Sequence, residues 1–191
     1  MRRTFLLAIP FFYGITFGQN RVSDEVTLTA KENSVKVLSS TSASLTIEVN
    51  IGRFNSATEF IDTEEFSLLW LKNESRIMEE GKPELPRIVR SIRIPASSGV
   101  VGNIIESEYE DIQMSVAPAK GVLEQGINPD DVPYVFSAVY SENKFFPEER
   151  FSFGDPYIMR NVRGAAMVIY PFTCNPVAQT LKSPEVKLLT L

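Results

Sequence analysis

Histidine is missing from this sequence altogether, and cysteine occurs once, at Cys174. Without histidine, Ser-His-Asp and Cys-His catalysis as usually assembled are excluded. Imidazole metal sites go with them, and one thiol builds no structural zinc site. A single cysteine also permits no internal disulfide. In YPFTCNPV it reads as a small buried apolar residue, because no imidazole stands by to lower its pKa. Blocks of Lys or Arg are absent too. The 19 basic residues are scattered among 24 acidic ones, for a net charge of −5, which leaves no nucleic-acid footprint. No cofactor is expected, and no enzymatic activity from this chain alone.

The one long apolar run lies at the N-terminus. Arg2 and Arg3 precede TFLLAIPFFYGITF, Thr4 to Phe17, and Gly18 before Gln19 suits a cleavage site. The run is short for a bilayer span and is interrupted by Pro10 and Gly14, so a stable membrane anchor is not expected. Residues 1–18 are therefore read as a signal peptide, and 19–191 as one exported domain, secreted or held at the cell surface by way of the periplasm.

Beyond the signal the dominant period is two. Leu45, Ile47, Val49 and Ile51 alternate with Thr46, Glu48 and Asn50, the pattern of a half-buried strand. SVKVLSS behaves alike. RIVRSIRIP alternates with a slip at Val89–Arg90 that suggests a bulge. GVVGNIIESEYEDI and EVKLLTL are further strand candidates, and the continuous apolar run AAMVIYPF suits an inner strand. TEEFSLLWLKN reads as a short helix, with Phe66, Leu69 and Trp70 near one face, or almost equally as a strand. Twelve prolines, spread between these runs, leave little room for long helices. The expected fold is all-β, a β-sandwich with at most one short helix.

Three stretches stand apart from this pattern. In EEGKPELP, Gly81, Pro83 and Pro86 set a turn before a strand; it reads as a plain loop or as an edge shown to a partner. SVAPAKGVLEQGINPDDVPY holds about a dozen residues with few apolar anchors, and loops of that length in compact domains are often functional. Asn128–Asp131 resembles a type I turn with Pro129 second. The carboxylates Glu124, Asp130 and Asp131 match no calcium-loop spacing, so no metal is expected. Asn143–Gly164 carries five aromatics and seven charges. It suits a crossover at the end of a sandwich, with Phe145, Phe146, Phe151, Phe153 and Tyr157 largely buried and Arg160 and Arg163 pairing with Glu148, Glu149 or Asp155.

GKPELPRIVRSIRIP, VAPAKGV, NPDDVPYVFSAVYSENKFFPEERFSFGDPYIMRNVRG and YPFTCNPVAQTL together resemble the propeptide of gingipain-type cysteine peptidases, exported enzymes of Bacteroidetes-type bacteria. The resemblance is clearest over 81–181. It implies a β-sandwich prodomain that stays with a caspase-like catalytic domain during secretion, assists its folding and blocks its cleft. It further implies that the loop Lys120, Gly121, Val122, Leu123, Glu124, Gln125, Gly126, Ile127 and Asn128 approaches the active site. Lys120 is its only base and the candidate for an acidic specificity pocket, or else a solvated charge at a strand end; Gln125 is the neutral alternative. Arginine-specific relatives offer an arginine in this loop where this chain has Gln125, and Cys174 stands where the family has a tyrosine. KSPEVKLL departs from the family, so the C-terminal end reads as truncated. No catalytic domain follows within the 191 residues, so the chain is read as the front of a longer precursor or as a stand-alone remnant. The alternative function is an adhesive or structural β-sandwich module of the cell envelope.

Overall fold

The computed structural model describes residues 23–96 and 99–190, so the expected signal segment lies outside the described residues. The strands are, in chain order, β1 (Ser23–Thr27), β2 (Ser34–Ser40), β3 (Leu45–Asn50), β4 (Arg53–Ile61), β5 (Glu64–Trp70), β6 (Ser75–Arg76) and β7 (Pro86–Arg93). They continue with β8 (Asn103–Gln113), β9 (Phe151–Phe153), β10 (Tyr157–Met159), β11 (Val162–Ile169), β12 (Thr173–Asn175) and β13 (Thr180–Thr190). Helix among the described residues is limited to two 3-10 turns, Pro129–Asp131 and Ala138–Ser141. The all-β expectation holds.

Three antiparallel sheets share one core. The first runs β1-β4-β5, and the second β10-β11-β7-β6 with β9 also on β11. The third runs β12-β13-β3-β2, with β8 along the other side of β13. Their inward rows meet in a single apolar cluster: Ile47 and Val49 from β3, Ile88 and Ile92 from β7, Met167 and Ile169 from β11, and Leu181 from β13. Phe54 and Phe172 meet edge to face within it, their ring centroids 5.3 Å apart, a favoured aromatic geometry. AAMVIYPF lies in the inner strand expected of it, since β11 is flanked by β7 on one side and by β9 and β10 on the other.

The helical reading of TEEFSLLWLKN is corrected by β5, which pairs with β4 in unbroken register from Asn55↔Trp70 to Ile61↔Glu64. Its apolar residues escape period two because the strand buries both faces. Leu69 and Leu71 enter the main core, whereas Phe66 and Leu68 join Ile61 and Ala117 in a separate small cluster under Tyr134 and Tyr140. Strands covered on both sides lose their alternation.

The bulge expected at Val89–Arg90 is corrected too. β7 pairs with β11 in continuous register from Ile88↔Ile169 to Arg93↔Gly164. The alternation only looks broken because Arg90 stands in the inward row between Ile88 and Ile92. Its guanidinium turns aside to Glu74, donating from Nη1 at 3.0 Å and from Nη2 at 2.6 Å. These hydrogen bonds, against a smaller burial penalty, hold the guanidinium above its ordinary pKa.

The aromatics of the Asn143–Gly164 stretch are half-buried, not largely buried. Phe146, Phe151 and Phe153 lean on the core from outside. Cations lie over the remaining ring surface: Lys182 over Phe145 at 4.6 Å and Lys82 over Phe146 at 5.8 Å. That arrangement answers the need for partners in a stretch rich in both rings and charges. Arg163 donates from Nη1 to the Pro95 carbonyl at 2.5 Å.

Candidate functional site

The long loop begins where β5 and Gly81 hold its two legs. The leading leg, Ser115–Lys120, runs beside β5: Ser67 donates its N–H to Ser115 and accepts from Ala117, at 2.7 and 3.0 Å. It then pairs with the turn of EEGKPELP. Ala117 accepts from Glu84, Ala119 donates to Lys82, and Ala119 accepts from Gly81. The returning leg, Tyr134–Ser141, lies on the small cluster, where Phe136 stacks against Phe66 at 5.5 Å and Tyr140 at 4.9 Å. The Tyr140 hydroxyl donates to the Val116 carbonyl at 2.8 Å, tying one leg to the other.

Gly81 joins both legs through its own backbone. Its N–H reaches Ala119 at 2.9 Å, and its carbonyl accepts from Ser137 at 3.0 Å. The residue sits at φ +77, and a Cβ there would stand 3.1 Å from the Ser137 nitrogen. Only glycine meets both demands without strain. The reading of this turn as a plain loop missed that role. The signal was present in Gly81 between two polar runs, but its partners lie far along the chain.

Above this root the loop narrows and projects. Gly121 is buried at φ +81, with Glu80 packed against it. From Glu124 to Asp131 every residue is exposed, and Val122 is 84% exposed. Glu124 to Ile127 form a turn closed by the Ile127 N–H on the Glu124 carbonyl at 3.2 Å. Gly126 takes the third position at φ +95, with open space around it, as a type II turn requires. Gln125 is thereby placed at the tip. The type I turn expected at Asn128–Asp131 is a single 3-10 turn, with the Asn128 side chain accepting from the Asp130 N–H.

Lys120 does not point the way the tip does. Its ammonium donates to the Pro129 carbonyl at 2.7 Å and lies 4.1 Å from the centroid of the Tyr134 ring. The Tyr134 hydroxyl in turn donates to Glu59 of β4 at 3.1 Å. The charge therefore bridges the base of the loop and links it to the first sheet. Tyr134 and Glu59 carry no motif of their own, and sequence reasoning passed over both.

Cys174 lies in β12, outside this loop, and is chemically quiet. Its backbone exchanges two hydrogen bonds with Phe146, both 2.8 Å, and its side chain is 2% exposed. Burial pushes the thiol up to about 12, so it stays protonated at neutral pH and unreactive.

Comparison with known proteins gives a consistent result. The family model Propeptide_C25 matches residues 25–188. Gingipain R2 of Porphyromonas gingivalis is 38% identical over 107 residues, which cover 56% of this chain and 14% of that protein. Gingipain R1 of the same species is 36% identical over 107 residues, 56% of this chain and 11% of the relative. The match thus spans a small fraction of these curated relatives. Among solved structures, the complex of Porphyromonas gingivalis RgpB pro- and mature domains is similar with a TM-score of 0.78 and 27% identity, over 82% of this chain and 83% of that one. A structure concerned with the zymogenic latency of gingipain K has a TM-score of 0.74 at 19% identity, over 88% and 97% of the two chains, and bears on the fold alone.

Proposed function

The chain belongs to the Propeptide_C25 family, the propeptides of gingipain-type cysteine peptidases, and from that premise we propose that its projecting loop is what inhibits the catalytic domain. The prodomain itself is noncatalytic, and family membership sets aside the adhesive-module alternative. Its partner is a caspase-like catalytic domain, which it assists in folding and keeps latent. The relative solved as a complex of pro- and mature domains supports that pairing. Export is in keeping with the family. The route through the periplasm, with residues 1–18 as its signal, is part of the proposal.

The observation that carries this reading is the construction of the loop. Both legs are stitched to Gly81, the base is bridged by Lys120, and the tip from Glu124 to Ile127 stands clear of the sandwich. A loop already ordered in its bound shape loses little conformational freedom on entering a cleft. Covalent linkage to the catalytic domain adds a high effective concentration, so modest contacts suffice. Gln125, at the tip, is the residue assigned to the specificity pocket. Lys120 shapes the loop from below.

The test is an inhibition constant for the separated chain against a cognate gingipain-type catalytic domain. Replacing Leu123–Asn128 by a short Gly-Ser linker is expected to leave the strand-rich spectrum intact and weaken inhibition by tenfold or more, about 1.4 kcal/mol. Equal constants for the two folded proteins would move the inhibitory surface elsewhere.

A further inference from the structure

The root of the loop opens onto a groove that the inhibitory tip leaves unused. It has a volume of about 540 Å³ and runs between the segment after β6, the turn at Pro147, and the loop itself. Met78, Val122, Phe146, Pro147 and Tyr170 give it an apolar lining. Two of these side chains are left to solvent, Val122 at 84% and Met78 at 37%. Neighbouring apolar side chains left in water and rimmed by polar ones mark interaction surfaces.

The rim has a definite charge. Glu148 and Glu149 are adjacent, exposed and at its edge. Glu79 also lines the groove, but its carboxylate is paired with Lys82. Arg87, the cation of the lining, is turned to the Ser75 hydroxyl, donating from Nε at 3.2 Å. A bond to a neutral hydroxyl leaves Arg87 charged, but with Glu79 compensated the two carboxylates Glu148 and Glu149 outnumber that one guanidinium, so a partner meets a net negative rim. Val122 belongs to groove and loop alike, so whatever receives the tip from Glu124 to Ile127 also lies against this surface.

We propose that the groove is a second docking site for the same catalytic domain, receiving a surface segment that carries a Lys or Arg beside an apolar side chain. The cation sits at Glu148 and Glu149, and the apolar side chain covers Met78 and Val122. This inference rests on the inhibitory reading above and adds a contact that does not require an open cleft. A catalytic domain whose cleft is already filled therefore still binds the chain through the groove.

The experiment measures the dissociation constant of the chain for a cognate gingipain-type catalytic domain whose active-site cysteine has been alkylated by a small, cleft-filling peptidyl inhibitor. The chain is compared with the double variant Glu148→Lys/Glu149→Lys, and with Glu64→Lys/Glu65→Lys as an equal change of net charge at the start of β5. The groove variant is expected to bind at least tenfold more weakly, with a shallower dependence on salt, while the β5 variant binds like wild type. Equal weakening by both variants overturns the groove in favour of net charge. Unchanged binding by the groove variant overturns it as well. In either case the loop replacement tested against the open enzyme stands or falls separately. Failure of the wild-type chain to bind either the open or the blocked enzyme overturns both readings together.

Discussion

The ammonium of Lys120 lies 4.1 Å from the ring centroid of Tyr134 while it donates to the carbonyl of Pro129. One charge thereby closes the base of a loop whose tip bears no base at all. A cation over an aromatic face is held by the ring quadrupole. The second bond satisfies a carbonyl that already accepts from the Val132 N–H.

Loss of that bridge should loosen the loop without unfolding the domain. Lys120→Met keeps the apolar stem and removes the charge. It is expected to weaken inhibition about fivefold, for a loss of about 1 kcal/mol. Lys120→Arg is expected to recover most of the effect. The check is the inhibition constant beside the melting temperature. A charge that entered the acidic pocket of a partner would cost far more than this, and the melting point would not move.

Gly81 should be intolerant of any side chain. Alanine there incurs the left-handed backbone penalty of about 1–2 kcal/mol, with the further crowding of the Ser137 nitrogen 3.1 Å away. A fall in melting temperature of roughly 3–8 °C is expected for a domain of this size. Thermal denaturation of Gly81→Ala beside wild type measures it, and a fall below 1 °C would sink the claim.

The Arg90–Glu74 pair should show measurable coupling. Arg90 occupies an inward position, yet its side chain remains 41% exposed while that of Glu74 is 16% exposed. Solvent screening discounts the pair accordingly, and a coupling energy of about 1 kcal/mol is expected. A double-mutant cycle with Arg90→Met and Glu74→Gln in urea gives the value directly. A coupling within error of zero would reduce the pair to a surface contact.

Cys174 should resist iodoacetamide in the native state at pH 8 and react on unfolding, as read by intact mass. Its thiol also predicts a pH dependence of stability. Burial raises the folded pKa from 9.0 to about 12, so the folded state holds its proton more tightly. The contribution is complete below the ordinary thiol value and is lost as pH climbs from about 9 towards 12. Tyr140, whose phenol is also raised by burial, adds in the same direction. Cys174→Ala is expected to flatten part of the alkaline decline; an unchanged profile would refute the assignment.

Much of the sheet structure was legible because burial on one face writes itself as alternation. β3 is the clear instance, with Ile47 and Val49 turned inward. β5 was legible only as a choice between helix and strand, since its two faces are covered by different clusters and the resulting LLWL run mimics a helical stripe. The position of the candidate loop followed from its length and its glycines. Its internal wiring did not, because the partners of Lys120 and Gly81 are fixed only by the folded path of the chain. Tyr134 reads as an ordinary loop aromatic until β4 brings Glu59 to its hydroxyl.

The place of β13 has a consequence for export. It lies between β3 and β8, pairing with Thr46–Asn50 on one side and with Asn103–Gln113 on the other. A chain emerging N-terminus first presents both of those strands before the strand that separates them. Until β13 inserts, β3 shows one open edge beside β2 and β8 has no partner among the described strands, a state open to mispairing with other chains. The third sheet therefore cannot close before β13 is available, and up to then β3 and β8 are the edges that another chain can capture.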